Sequence, residues 1–306
     1  MIRVKRQLVG SYTFTVDTFN DDGDPIVPTG SYAATILDGA GLPIGTSYSA
    51  TYASNQLSAV IPAVVLDTLD TYTITYAPTL LGSTQPIFTL DVEIVGGYLF
   101  EVSQLRAQDR AFADVVKYPS SALREIRTWV EQVIEGTRAA QVAFVPRGTR
   151  VKMNGNSPDL NRGYYPLLYG NDYRDLIAPD FEIRELYSAS INGTALTQDE
   201  IDAVAVDDNI LHRSAGVQWP AWPYGKGNIS LHYSHGYDRP PGAITRAALL
   251  LAREYLVKSD LPGRATATSI GDQMFRLTIA GRDGVTGIPE VDAAIDQHGR
   301  KGYGIG

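Results

Sequence analysis

Apolar and polar positions alternate in short runs through the first third of the chain. Tyr12-Thr13-Phe14-Thr15-Val16, Tyr32 to Leu37 and Tyr72-Thr73-Ile74-Thr75-Tyr76 each sort their side chains onto two faces, one of them apolar. Asp22-Gly23, Asp38-Gly39, Gly41-Leu42-Pro43 and Leu81-Gly82-Ser83 separate the runs with turn chemistry. Short β-branched strands spaced this way predict an antiparallel β-sandwich of immunoglobulin-like architecture over residues 1–96, without the Cys and Trp marks of antibody domains. Gly96-Gly97 closes it.

The period then lengthens. Leu99, Val102 and Leu105 recur at helical spacing, and Leu123, Ile126, Val130, Val133 and Ile134 form one face of a helix. Pro119 suits its first position, where a missing N–H costs nothing, and Gly136 marks its end. A second β region covers 141–235. Gln141–Val145, Ile183–Ile191 and Asn228–Ser234 read as strands, Asn192-Gly193 as a hairpin turn, and Thr197 to Glu200 as a capping box. After Pro240-Pro241, a helix from Ala243 to about Val257 turns Ile244, Ala247, Ala248, Leu251 and Tyr255 inward. A strand from Met274 to Ala280 and a short helix opened by Pro289 follow.

The predicted fold is thus α+β and multi-domain. An immunoglobulin-like β-sandwich (1–96) precedes a helical-bundle core with an inserted β region (97–262), and a docking segment (263–306) orders against neighbours.

Composition sharpens this picture. No Lys or Arg occurs from Gln7 to Phe100, whereas Asp17, Asp21, Asp22, Asp24, Asp38, Asp67, Asp70, Asp91 and Glu93 do, so the charge break supports the boundary near 96. A net charge of −8 and a pI near 5.0 argue against wrapping a phosphate backbone. The absence of cysteine excludes disulfides and thiolate metal sites. No apolar run approaches the roughly 20 residues of a membrane span, and the N-terminus lacks a signal-peptide core, so an unprocessed, soluble chain is expected.

Candidate chemistry is sparse. His232 and His235, three apart on a strand, face opposite ways and cannot grip one metal. The acidic run Asn20 to Asp24 lacks the spacing of a calcium loop and reads as a hairpin tip. Trp219-Pro220-Ala221-Trp222-Pro223-Tyr224 could stack on sugars or bases, but its prolines describe a loop capping a sheet. Glu131 and Glu135 share a helix face that reads as solvent-facing; Asp199/Glu200 and Asp207/Asp208 lack the setting a general acid needs. No nucleophile elbow or P-loop occurs, so no enzyme and no cofactor is expected.

From about 99 to 298 the order of residues resembles the head-to-tail connector (adaptor) proteins of long-tailed actinobacteriophages. The likeness runs through Tyr118-Pro119, Arg127 and Glu131, Ala143-Phe144-Val145-Pro146-Arg147, Asn192-Gly193-Thr194 and His235-Gly236-Tyr237-Asp238. It continues with Pro240-Pro241, Arg282-Asp283-Gly284 and Gly287-Ile288-Pro289-Glu290-Val291-Asp292. The resemblance implies a virion protein of the phage neck, assembled in the host cytoplasm as a ring of about twelve copies whose heterologous contacts close on themselves. Its partners would be itself, the portal protein, a head-closure or tail-completion protein, and genomic DNA passing without specific binding, with no membrane. Arg276, Arg282, Asp283, Ile288, Pro289, Val291 and Ile295 are the candidate subunit and portal contacts. The alternative is a carbohydrate-binding or adhesin-type surface protein, suggested by the Tyr/Thr-rich strands and the Trp cluster. A two-carboxylate hydrolase ranks last.

Overall fold

The structure, a computed structural model, describes residues 1–20, 22–79, 86–136, 142–155, 175–213, 222–223, 225–257, 267–270, 273–276 and 286–299. The chain divides into two compact units: Met1–Gly96 with Arg147–Pro179 and Ile183–His235, and Gly97–Pro146 with Asp180–Glu182 and Gly236–Gly306.

In the first unit the early alternating runs become strands. They are β1 (Ile2–Lys5), β2 (Ser11–Asp17), β3 (Tyr32–Leu37), β4 (Pro43–Ala53), β5 (Gln56–Pro62), β6 (Thr71–Pro78) and β7 (Phe88–Val95). All seven join one curled sheet in the order β1-β7-β6-β3-β4-β5-β2, antiparallel except for β1 against β7. Its buried face carries Tyr12, Phe14, Ile36, Leu57, Ile61, Ile74 and Val92. The curl is closed by side chains. Tyr76 on β6 donates to the Phe14 carbonyl on β2 at 2.8 Å, although three strands separate them in the sheet.

This corrects the predicted immunoglobulin-like sandwich. Alternation reports which face of a strand is buried, and it is equally satisfied by two stacked sheets or by one sheet rolled over its own face. Here β3 pairs both β4 and β6, and β5 pairs both β4 and β2, so the strands form one continuous ladder.

The same unit holds β8 (Arg147–Gly155), β9 (Asp175–Ile177), β10 (Ile183–Ile191), β11 (Thr194–Ala195), β12 (Val204–Asp207), β13 (Ile210–Arg213) and β14 (Gly225–His235). They make a four-stranded sheet, β11-β10-β14-β8, and a three-stranded one, β12-β13-β9. Asn192 and Gly193 both have positive φ and turn β10 into β11, as Asn-Gly does in tight hairpins. Thr197 and Glu200 exchange backbone and side-chain bonds in a capping box that opens one short helix, α1 (Gln198–Asp202). The alternation of β14 is informative. Ile229, Leu231 and Tyr233 enter the apolar cluster of these sheets, while His232 and Ser234 are buried on the opposite face.

The second unit packs α2 (Val102–Gln108), α3 (Ser120–Glu135), α4 (Gly242–Leu256) and α5 (Pro289–His298) around one core of Leu105, Leu123, Val130, Phe144, Leu251 and Val291. Pro119 and Pro241 stand just ahead of their helices in extended conformation, and Pro289 is the first residue of α5. A hairpin of β15 (Ala267–Ile270) and β16 (Gln273–Arg276) belongs to this unit by sequence range.

The predicted helical-bundle core with an inserted β region is likewise corrected. The protein is mostly β, with five short helices among the described residues, and the strands of 147–235 group with the N-terminal sheet. Val142–Val145 is not a strand. Its four side chains are buried, but its backbone bonds to a helix and a loop: Phe144 N–H donates to Glu135 at 3.2 Å and Tyr237 N–H to the Ala143 carbonyl at 3.0 Å. Tyr255, expected in the core, is 61% exposed, because it lies on the last turn of α4 beyond the packed stripe.

Candidate functional site

The densest polar cluster forms inside the first unit, where β8 and β14 meet the turns at Asp38-Gly39 and Leu69-Asp70. Arg150 reaches Asp70 Oδ2 through Nε at 2.9 Å and Asp38 Oδ2 through Nη2 at 2.8 Å. Asp70 also accepts from the Gly39 and Thr71 backbone N–H groups, at 3.3 and 2.9 Å. His232 Nε2 lies 3.0 Å from the Leu69 carbonyl and 3.7 Å from Asp70 Oδ2. Burial depresses the His232 pKa, opposed by the Asp70 charge and the Leu69 carbonyl, so the folded imidazole is held neutral.

Chemically this cluster is a fastener. Every acidic oxygen in it is directed at a backbone N–H or a guanidinium of the same chain, and the His232 nitrogen that faces Asp70 is spent on a carbonyl. A general base needs a lone pair aimed at a substrate, and a carboxylate saturated by its own fold has none to offer. Beside it, Glu93 is held by Arg3 at 2.7 Å and by Arg147 at 3.7 Å, joining β7 to β1 and β8. Burial pushes the Tyr72 and Tyr76 phenols up to about 12, so both stay protonated hydrogen-bond donors.

In the second unit the carboxylate pair read as solvent-facing is not. Glu131 is wholly buried and accepts the Leu99 N–H at 3.0 Å, and Glu135 accepts from Phe144. Arg127, one turn earlier, is buried with its guanidinium 3.2 Å from the centre of the Tyr98 ring and 3.8 Å from Glu101. Helical periodicity could not show this, because the partner of Glu131 is a backbone group 32 residues away.

Other sequence candidates resolve similarly. His235 meets Thr149 at 2.9 Å. Asn20 Oδ1 accepts the Asp22 and Asp24 N–H groups, which closes a hairpin tip; Asp21 lies outside the described residues. Trp222 is fully buried, donates to the Leu211 carbonyl at 2.9 Å and underlies Arg213, so it cannot stack on a sugar. Trp219, Pro220, Ala221 and Tyr224 lie outside the described residues. Among the described residues no group of His, Asp and Glu is arranged to hold a metal ion, and no helix is long and apolar enough to cross a membrane.

Of the proposed contact residues, Val291 and Ile295 sit in the helical core at 0% and 1% exposure, where they anchor α5. Ile288 is partly buried against that core, and Pro289 is exposed at the start of α5. Arg276 lies on β16, and Arg282 and Asp283 lie outside the described residues. Pattern reading missed two surface features of this unit. One is a groove of about 420 Å³ lined chiefly by α4, with Arg246 and Arg253 on it. The other is the exposed pair Trp129 and Tyr255, whose rings lie 4.6 Å apart. The only sequence signal was that Trp129 falls beside the apolar stripe of its helix, not on it.

Comparison with protein-family models gives no match, and comparison with curated proteins gives none either.

Proposed function

We propose that the chain is a structural protein of a phage virion, a head-to-tail connector subunit that forms a ring between the portal and the head-closure or tail-completion protein. The observation that carries this reading is where the resembling residues sit. Pro119 stands just ahead of α3, Glu131 and Arg127 fasten the segment before α2, and Asn192-Gly193 turns a hairpin. Gly236, at φ +100°, lets the chain pass against the Ala143 and Val145 carbonyls, which a Cβ would meet at 2.7 Å. These are frame positions. They share no cavity, and their chemistry is consumed within the fold.

Residues that set turns, helix starts and internal fasteners are ones a family of structural subunits would be expected to share. The charge pattern is compatible with a DNA conduit, since an acidic wall lets a polyanion pass without adhering. Trp222, one member of the Trp cluster that motivated the carbohydrate-binding alternative, is buried; Trp219 lies outside the described residues.

The test is to purify the full chain, alone and with the portal protein of the same genome, and image the particles by electron microscopy. Rings of about twelve subunits, seated on the portal, are expected for heterologous contacts that close. A chain that stays monomeric and ignores the portal would overturn the reading.

A further inference from the structure

A ring of identical subunits needs two different, complementary faces on each copy. The second unit carries two candidates, and both are built on α4. The first is the groove of about 420 Å³, lined by Gly242, Arg246, Leu249, Leu250 and Arg253 of α4 and by Glu290 at the start of α5. Arg246 and Arg253 are seven residues apart, about two helical turns, so they stand in one row with Leu250 between them. Both guanidinium groups are exposed, and neither has an ion-pair partner among the described residues.

The second face is aromatic. Trp129 of α3 and Tyr255 of α4 pack with ring centres 4.6 Å apart and planes tilted by 35°, yet they are 38% and 61% exposed. Neither the indole N–H nor the phenol is hydrogen-bonded among the described residues. Glu125, also exposed, lies one turn before Trp129 on the same face of α3. Tyr255 follows Arg246 by nine residues, which at about 100° per residue is half a turn out of phase. The arginine row and the aromatic pair therefore point away from each other across α4, and one copy cannot satisfy its own pair.

We propose that the groove receives the Trp129–Tyr255 pair of a second copy of this chain, head to tail. The inference rests on the ring reading above and names its contact. Arginine over an aromatic face is the pairing that a guanidinium and an indole favour when both lose water. Leu250 supplies the apolar floor, and Glu125 of the incoming copy supplies the carboxylate for Arg246 or Arg253. Aromatic and arginine side chains are also those that concentrate binding energy at protein interfaces.

The experiment uses the full chain and two double variants, Arg246→Glu with Arg253→Glu and Trp129→Ala with Tyr255→Ala. Sedimentation velocity and native mass spectrometry read assembly, and circular dichroism with thermal melting confirms folding. All four positions are exposed, so both variants should melt like the parent. Each variant alone should self-associate at least tenfold more weakly than the parent. Mixed in equal amounts they should form a heterodimer and stop there, since one intact groove and one intact aromatic pair remain for a single contact. Trp129→Phe, which keeps an aromatic face, should retain assembly. If the parent forms rings and both variants do so equally well, this contact is wrong while the ring reading stands. Folded variants that stay monomeric when mixed would also overturn the contact. A parent that stays monomeric, alone and with its portal, removes the ring reading and this contact with it.

Discussion

Gly148 gives the sharpest test of how the first unit is joined. It sits at the start of β8, and a Cβ placed there would collide with the Leu69 carbonyl and come within 2.9 Å of the Asp70 nitrogen. These are backbone atoms, so no side chain can swing aside. Gly148→Ala must push β8 away from the Leu69-Asp70 turn. The His232–Leu69 bond then opens, leaving a buried donor at about 1–3 kcal/mol, and overpacking adds about 1–3 kcal/mol. A loss of about 2–6 kcal/mol is expected from these two terms together, with Arg150–Asp70 loosened besides. Hydrogen exchange followed by mass spectrometry on the full chain under graded urea resolves the units. Protection should fall in β5, β6 and β14 and hold in α3 and α4. Gly193→Ala is the control: it has open space but positive φ, so it should lose only about 1 kcal/mol of backbone strain. A Gly148→Ala protein within about 0.5 kcal/mol of the parent would refute the close approach of these two segments.

Leu251→Asp should unfold the helical unit, because a carboxylate placed at 6% exposure among apolar side chains costs about 3–5 kcal/mol; normal exchange protection of α4 would contradict its packing. Glu131→Ala should destabilise the same unit by about 2–3 kcal/mol through the orphaned Leu99 N–H, and Glu131→Gln by clearly less; equal losses on urea titration would contradict the acceptor role. His232 should make the first unit acid-sensitive. Its folded pKa lies below the unfolded value of about 6.5, so the unfolded chain takes up the proton first, and its contribution is full above about pH 6.5 and declines below it. Melting temperatures from about pH 7.5 down to 5.5 should fall less for His232→Gln than for the parent, and parallel curves would contradict a buried neutral imidazole. Deleting residues 1–96 should expose the buried faces of His232 and Arg147 and lower the protection of β8 and β14, while an unchanged β14 would show that the two sheets fold independently.

Strand and helix positions were legible because they depend on local periodicity. β2, β3 and β6 fall on the alternating runs, α3 ends at Gly136, and the Asn192-Gly193 turn and the Thr197–Glu200 box behave as their chemistry dictates. Pairing was not legible. Whether β5 closes on β2 in the same ladder or opposes it across a gap is settled by contacts 39 to 51 residues apart, which leave no mark on either strand's own pattern. Buried charge was the other blind spot. Glu131, Arg127, His232 and Asp70 are polar letters at core positions, and a periodicity rule assigns such letters to the solvent side. Glu131, His232 and Asp70 each meet a particular backbone carbonyl or N–H, and Arg127 meets the Tyr98 ring and Glu101; such partners cannot be inferred from composition.

Those same residues bear on function through the cost of burying them. Replacing a buried ionic group by apolar side chains of like volume is often neutral or stabilising, so these groups are poor investments if stability alone is at issue. What they contribute is geometry. Arg150 can satisfy Asp38 and Asp70 together only when β8 lies in one register against the two turns, and Glu131 can meet Leu99 only when the chain enters α2 at one angle. On the connector reading proposed above, such fixed geometry has a use. A subunit that repeats around a closed ring needs this precision. A small angular error at each contact accumulates around the ring and prevents closure, so the interior of every copy must hold its contact faces in one arrangement.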